Sequence, residues 1–133
     1  MKKSEKCLVI DADKCVACRT CELECALAHS GHGSYFEAAS AGAFPQPRLS
    51  VEKAGCGSMP LQCRHCEDAP CVKICPTGAL VKTGPAGPVL VEADLCIGCK
   101  RCLLVCPFGV IGINHSARAC LKCDLCMERL DKG

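Results

Sequence analysis

Apolar residues in this chain come in short runs broken by glycine, proline and charge, a pattern that predicts small hairpins. Residues 79–82 and 88–92 read as two brief strands, and Thr83-Gly84-Pro85-Ala86-Gly87 between them is a turn-rich connector. Residues 48–51 and 109–113 are further strand candidates. Residues 26–60, with His29, Ser30, His32, Ser34, several glycines and Pro45-Gln46-Pro47, read mostly as an irregular insertion. Such a segment covers a neighbouring site, contacts a partner, or simply connects. A repeat is also visible. The eleven residues from Val9 to Arg19 parallel those from Leu90 to Lys100 position by position: a short apolar run, an acidic residue, Ala-Asp, then a Cys-x2-Cys loop.

Composition changes the picture. Of 133 residues 17 are cysteine, and there is no Trp, one Tyr and three Phe, so a large ring-packed core is excluded and the fold needs staples. At the start, MKKSEKCLVI, only Cys7 to Ile10 are apolar before Asp11, far short of a signal-peptide core. No long apolar stretch follows, so the expectation is a cytoplasmic protein without membrane insertion. In that compartment thiols stay reduced, and an odd number of cysteines points to metal rather than disulfides.

The spacings sharpen this. Cys96, Cys99, Cys102 and Cys106, followed by Pro107, form C-x2-C-x2-C-x3-C-P, the bacterial run for [4Fe-4S] clusters. Cys63, Cys66, Cys71 and Cys75 differ only in the gap between Cys66 and Cys71, and also end in proline, Pro76. Cys15, Cys18, Cys21 and Cys25 keep the spacing of the third group but carry Ala26 where the proline would be. Cys120, Cys123 and Cys126 form a fourth group. In such runs three thiolates wrap one corner of a cube. The fourth cysteine leaves on a helical turn toward the other cluster, and the proline stops that helix. One cluster is therefore expected at Cys63, Cys66, Cys71 and Cys106, its neighbour at Cys96, Cys99, Cys102 and Cys75. Structural zinc is the bland alternative. It usually takes two well-separated Cys-x2-Cys pairs, and these runs offer too many thiolates per knuckle.

The formal charge is +2 with neutral cysteines. Each oxidised cube with four thiolates carries about −2, so four would take the loaded protein to about −6. Lys14, Arg19, Arg64, Lys73, Lys100, Arg101 and Lys122 lie beside cluster cysteines, where they offset that charge or form a solvated rim. Nucleic-acid binding has little support, with no basic excess after metallation and few aromatic rings. His65, inside Cys63-x2-Cys66, is a candidate donor to a cluster sulfur, as is Arg64. His29, His32 and His115 have no spacing that argues for a ligand.

The run LQCRHCEDAPCVKICPTGAL, then DLCIGCKRCLLVCPFGVI and KCDLC, resembles the four-cluster ferredoxin-like subunits serving molybdenum and tungsten oxidoreductases, formate dehydrogenases, hydrogenases and carbon monoxide dehydrogenase. The opening CLVIDADKCVACRTCELECALAHS is similar to the small iron-sulfur partner of carbon monoxide dehydrogenase and to related hydrogenase subunits. The resemblance implies a small α+β, ferredoxin-like fold of two pseudo-symmetric dicluster units, with short hairpins and helices around the clusters. It also implies that the first and fourth motifs pair, Cys25 crossing to the fourth-motif cluster. The family's fourth motif continues into a Cys-x3-Cys-Pro, whereas here Cys126 is followed only by residues to Gly133. Either Cys120 replaces a lost ligand, giving Cys25, Cys120, Cys123 and Cys126, or the chain is truncated and a terminal cluster is labile or absent. In the first case the cluster at Cys15, Cys18 and Cys21 needs Cys56, Cys7, a partner chain or a non-cysteine group.

The function that follows is electron transfer through [4Fe-4S] clusters, four being favoured. The donor would be a catalytic oxidoreductase, carbon monoxide dehydrogenase first, and the acceptor a hydrogenase or reductase. The alternative hosts are a formate dehydrogenase, hydrogenase or molybdenum/tungsten oxidoreductase, and the remoter reading is a metal-stabilised structural module. No catalytic constellation or nucleotide motif is present. The expected organisation is an outer unit at 1–28 plus 113–133, an insertion at 29–59 and a central unit at 60–112.

Overall fold

A computed structural model describes residues 7–42, 45–114 and 118–130, so His115 lies outside the described residues. Two compact units emerge, Ile10–Gln62 and the chain from Cys63 onward with residues 7–9.

In Ile10–Gln62, a single 3-10 turn, Ala12–Lys14, delivers Cys15. Helix α1 (Thr20–Ala28) then runs through Cys25 and buries Ala26. It continues because alanine keeps the N–H that a proline would lack. Helix α2 (Tyr35–Ser40) is short but well capped. Ser34 Oγ accepts from the Glu37 N–H at 3.3 Å, and the Glu37 carboxylate accepts from the Gly33 N–H at 3.1 Å. Strands β1 (Ser50–Ala54) and β2 (Gly57–Leu61) pair antiparallel around the two-residue turn Gly55-Cys56, with Gly55 left-handed at φ +58°. Val51 is buried, and its N–H donates to the Glu22 carboxylate of α1 at 2.6 Å. The irregular insertion expected over 26–60 is thus a capped helix and a hairpin.

The second unit begins with helix α3 (Pro70–Ile74), its proline at the first turn where no N–H is needed. Strands β3 (Leu80–Lys82) and β4 (Val89–Val91) form the expected hairpin, Leu80 opposite Val91. A 3-10 turn, Ala93–Leu95, delivers Cys96, repeating the turn before Cys15. Helix α4 (Arg101–Val105), strands β5 (Gly112–Ile113) and β6 (Cys120–Leu121), paired antiparallel, and helix α5 (Met127–Leu130) complete it. Helices α3 and α4 both stop at a cysteine followed by proline, Cys75-Pro76 and Cys106-Pro107, as the proline rule requires. The strand candidate at 109–113 shrinks to Gly112–Ile113. Val9 and Ile10 form no strand among the described residues and Val9 is exposed, so the repeat is structural from the 3-10 turn onward.

The core of this unit is small and sulfur-rich: Leu80, Val89 and Ile111 pack with Ala69, Cys71, Cys102 and Cys120. Val89 is the largest side chain fully buried among the described residues. The cysteines therefore sit where another fold would place leucines.

Candidate metal centre

Four of the Cys-x2-Cys segments bend the same way. The residue just before the second cysteine is left-handed at Ala17 (φ +57°), His65 (+50°), Gly98 (+67°) and Leu125 (+59°), whereas Cys18-x2-Cys21 and Cys99-x2-Cys102 carry the bend one residue earlier, at Arg19 (+59°) and Lys100 (+63°). Of the first four only Gly98 is glycine, so the other three accept a conformation costing on the order of 1–2 kcal/mol each. The bend turns backbone N–H groups inward: the His65 N–H donates to Cys63 Sγ at 3.4 Å and the Leu125 N–H to Cys123 Sγ at 3.5 Å. Gly98 is required for a second reason, because a Cβ there would lie 2.6 Å from the Arg118 carbonyl oxygen. The fourth loop is thus Cys123 to Cys126. Lys122, between Cys120 and Cys123, is not left-handed, and Cys120 belongs to β6.

Cys75, Cys96, Cys99 and Cys102, from two separate motifs, line one recess that is partly open to solvent. Thr77, Leu80 and Ile113 complete its wall and Lys100 and Arg101 its rim. Burial favours the neutral Cys75 thiol, but N–H groups of Thr77, Leu80 and Ala79 and the Thr77 hydroxyl outweigh it and hold its pKa below the ordinary value. Cys102 goes the other way, raised by burial. Cys120 lines the same recess, its N–H donating to Cys96 Sγ at 3.4 Å; burial, with Cys102 and Cys96 beside it, raises its thiol strongly.

Cys71 is buried, with Cys63 and Cys106 close enough to disfavour its ionisation further, and burial is the larger cause of its raised pKa. Cys66 packs on the same core. In the loop between Cys63 and Cys66, His65 Nδ1 accepts from the Val89 N–H at 3.0 Å, and Lys82 Nζ donates to the His65 carbonyl at 2.9 Å. Burial, then the charges of Lys122 and Lys82, lower the imidazole to about 4, so it is neutral with its proton on Nε2. That Nε2 is buried without a protein partner. Arg64 is exposed, 6.0 Å from the Phe108 ring centroid.

In Ile10–Gln62, Ser58 Oγ of β2 donates to Cys15 Sγ (3.4 Å) or its carbonyl (3.1 Å). Thr20 Oγ1 donates to Cys18 Sγ at 3.4 Å and lowers that exposed thiol, whereas burial raises Cys21. Burial would raise Cys25 as well. The His29 ring, 3.8 Å from its sulfur, and the Arg48 N–H, at 3.3 Å, outweigh that and lower it. Cys56 is exposed at the hairpin turn, and Cys7 is exposed too.

The residues fit an iron-sulfur cube. The recess presents soft thiol ligands, N–H groups surround the sulfurs, and an orphan buried N–H donor stands in one loop. Hydrogen bonds from Thr20, Ser58, Arg48 and Cys120 to sulfur were not legible in the sequence, since nothing in cysteine spacing marks second partners.

Comparison with known proteins agrees. A family model described as a 4Fe-4S dicluster domain matches residues 56–133. An "Iron-sulfur protein" of Rhodospirillum rubrum is 40% identical over 95% of this chain and 70% of its own length. The electron transport protein HydN of Escherichia coli is 37% identical over 93% of this chain and 77% of its own. The arsenate respiratory reductase iron-sulfur subunit ArrB of a Shewanella strain is 42% identical over 80% of this chain and 44% of its own.

Proposed function

The chain belongs to the 4Fe-4S dicluster family, and from that membership we propose that it carries single electrons between a catalytic oxidoreductase and an acceptor protein. It is an iron-sulfur electron-transport protein of the kind that serves oxidoreductase complexes: HydN is named an electron transport protein and ArrB an iron-sulfur subunit of a reductase. The observation that carries the reading is the recess at which Cys75 of one motif meets Cys96, Cys99 and Cys102 of another.

The central ligands in this proposal are Cys63, Cys66, Cys71 and Cys106 for one cluster and Cys96, Cys99, Cys102 and Cys75 for the other, within a central unit at 60–112. Further clusters are proposed at the loop of Cys15, Cys18 and Cys21 and at the loop of Cys123 and Cys126, with Cys25 and Cys56 as additional thiolates. Cys120, given its place beside Cys96 and Cys102, is proposed as a neighbour of the central set. Bound clusters supply successive one-electron sites. The chain's own part is to hold the thiolates at fixed positions, aim N–H groups at sulfur, and exclude water with Leu80, Val89 and Ile113.

Carbon monoxide dehydrogenase is the proposed donor, on the resemblance of the opening motif. Among the described residues no helix is long and apolar enough to cross a membrane. The test is anaerobic: loaded protein mixed with carbon monoxide and a catalytic amount of that dehydrogenase should lose its visible cluster absorbance, and regain it with an oxidant. Reduction by dithionite but not by the dehydrogenase would overturn the donor and leave the carrier reading standing.

A further inference from the structure

Seven basic residues flank the cysteines, and the structure separates one from the rest. Lys14 and Arg19 pair with Asp11 and Glu22 on the surface, and Lys73 with Asp68. Arg64, Lys100 and Arg101 are exposed. Lys122 alone of the seven is buried, at 2% exposure. Its Nζ donates to the carbonyl oxygens of Val89 and of Cys123, the latter at 2.7 Å. Two carbonyls satisfy two of three ammonium protons but carry no net charge. Among the described residues no carboxylate forms an ion pair with Lys122. A cation placed this way is costly to bury unless an anion compensates it.

We propose that Lys122 is the buried counter-charge of the central clusters, raising the reduction potential of the one held at Cys71. The inference rests on the cluster reading above. The ammonium is held on the Val89 carbonyl, and Val89 packs in one buried cluster with Cys71 and Cys120. Cys71 belongs to one proposed ligand set and Cys120 lines the recess of the other, so the charge serves both. Val89 is the anchor: its carbonyl accepts from Lys122 Nζ and its N–H donates to His65 Nδ1, which ties the cation to the loop between Cys63 and Cys66. Reduction adds one negative charge to a site that is already anionic, so a fixed positive charge stabilises the reduced form more than the oxidised one. The residue is a positioning residue for charge and exchanges no proton or electron.

The test compares Lys122→Met and Lys122→Arg with the wild type in redox titrations followed by EPR. In Lys122→Met, the reduced-to-oxidised ratio of one centre at a fixed solution potential should fall about tenfold, a shift of about 59 mV for a one-electron couple. Lys122→Arg should stay within twofold of the wild type. Ratios within twofold in both variants, or an equal fall in both, would overturn the proposal. If Lys122→Met cannot retain iron, full iron in Lys122→Arg supports it, because charge is what that variant shares with the wild type, and loss in both variants contradicts it. A wild type without reducible iron would instead sink the carrier reading itself.

Discussion

Gly98 and Cys120 give two direct tests at the scale of single residues. A methyl group at Gly98 meets both a left-handed φ of +67° and the Arg118 carbonyl, so Gly98→Ala should destabilise the loaded protein by about 2–4 kcal/mol, adding strain to overpacking. Anaerobic denaturant unfolding measures this, and an unchanged midpoint would mean that the loop can move away. Cys120→Ser should leave iron per chain at the wild-type level, because the recess it lines already holds four cysteines. Loss of one cluster's iron would return Cys120 to the set with Cys123 and Cys126 that its spacing suggests. Cysteine spacing marks the loops at Cys15–Cys18, Cys63–Cys66 and Cys96–Cys99, but it also groups Cys120 with Cys123 and Cys126, and Cys120 lies in β6. The sequence could not show that Ala17 and Leu125 take the left-handed bend, because neither is a residue whose backbone preference announces it. Nor could it show that Lys122 is buried while Lys73 and Lys100 are exposed, since burial of a long cation depends on which carbonyls the fold brings to it.

The contrast among helices that follow the cluster loops turns on one position. Helices α3 and α4 end at Cys75 and Cys106 before proline, whereas α1 passes Cys25 and reaches Ala28. Ala26→Pro would remove an inner-turn N–H and press a ring against the preceding turn, costing about 3 kcal/mol. Loss of helical circular dichroism with earlier unfolding is the expected result. An unaltered melt would mean that α1 contributes little to its unit. The β3–β4 hairpin was legible because apolar runs flank an evident turn, Thr83 to Gly87. Of the segment read as mostly irregular, the strand candidate at 48–51 was partly legible; helix α2 and the hairpin turn were not, although Ser34-x-x-Glu37 carries a capping signature and Gly55-Cys56-Gly57 a turn. Strand β1 (Ser50–Ala54) meets the candidate at 48–51 only in Ser50 and Val51, because beyond Val51 its side chains are exposed and give no period to detect.

For the whole molecule, the unit from Cys63 onward has too few large apolar side chains to fold on burial alone, and three cysteines stand in its buried cluster. Metal removal should therefore abolish the fold rather than merely the colour, as in other small metal-dependent domains. Chelation of iron under anaerobic conditions is expected to remove most far-ultraviolet circular dichroism, and a native-like spectrum in the iron-free chain would show that the aliphatic core suffices. The most direct test of the central claim is iron and acid-labile sulfide per chain on anaerobically purified protein, with low-temperature EPR after reduction. The account predicts equal amounts of the two, about 16 each for four cubes and no fewer than about 8 for the central pair, with signals from interacting reduced centres. Protein that holds zinc in place of iron, with no labile sulfide and no EPR signal on reduction, would contradict it.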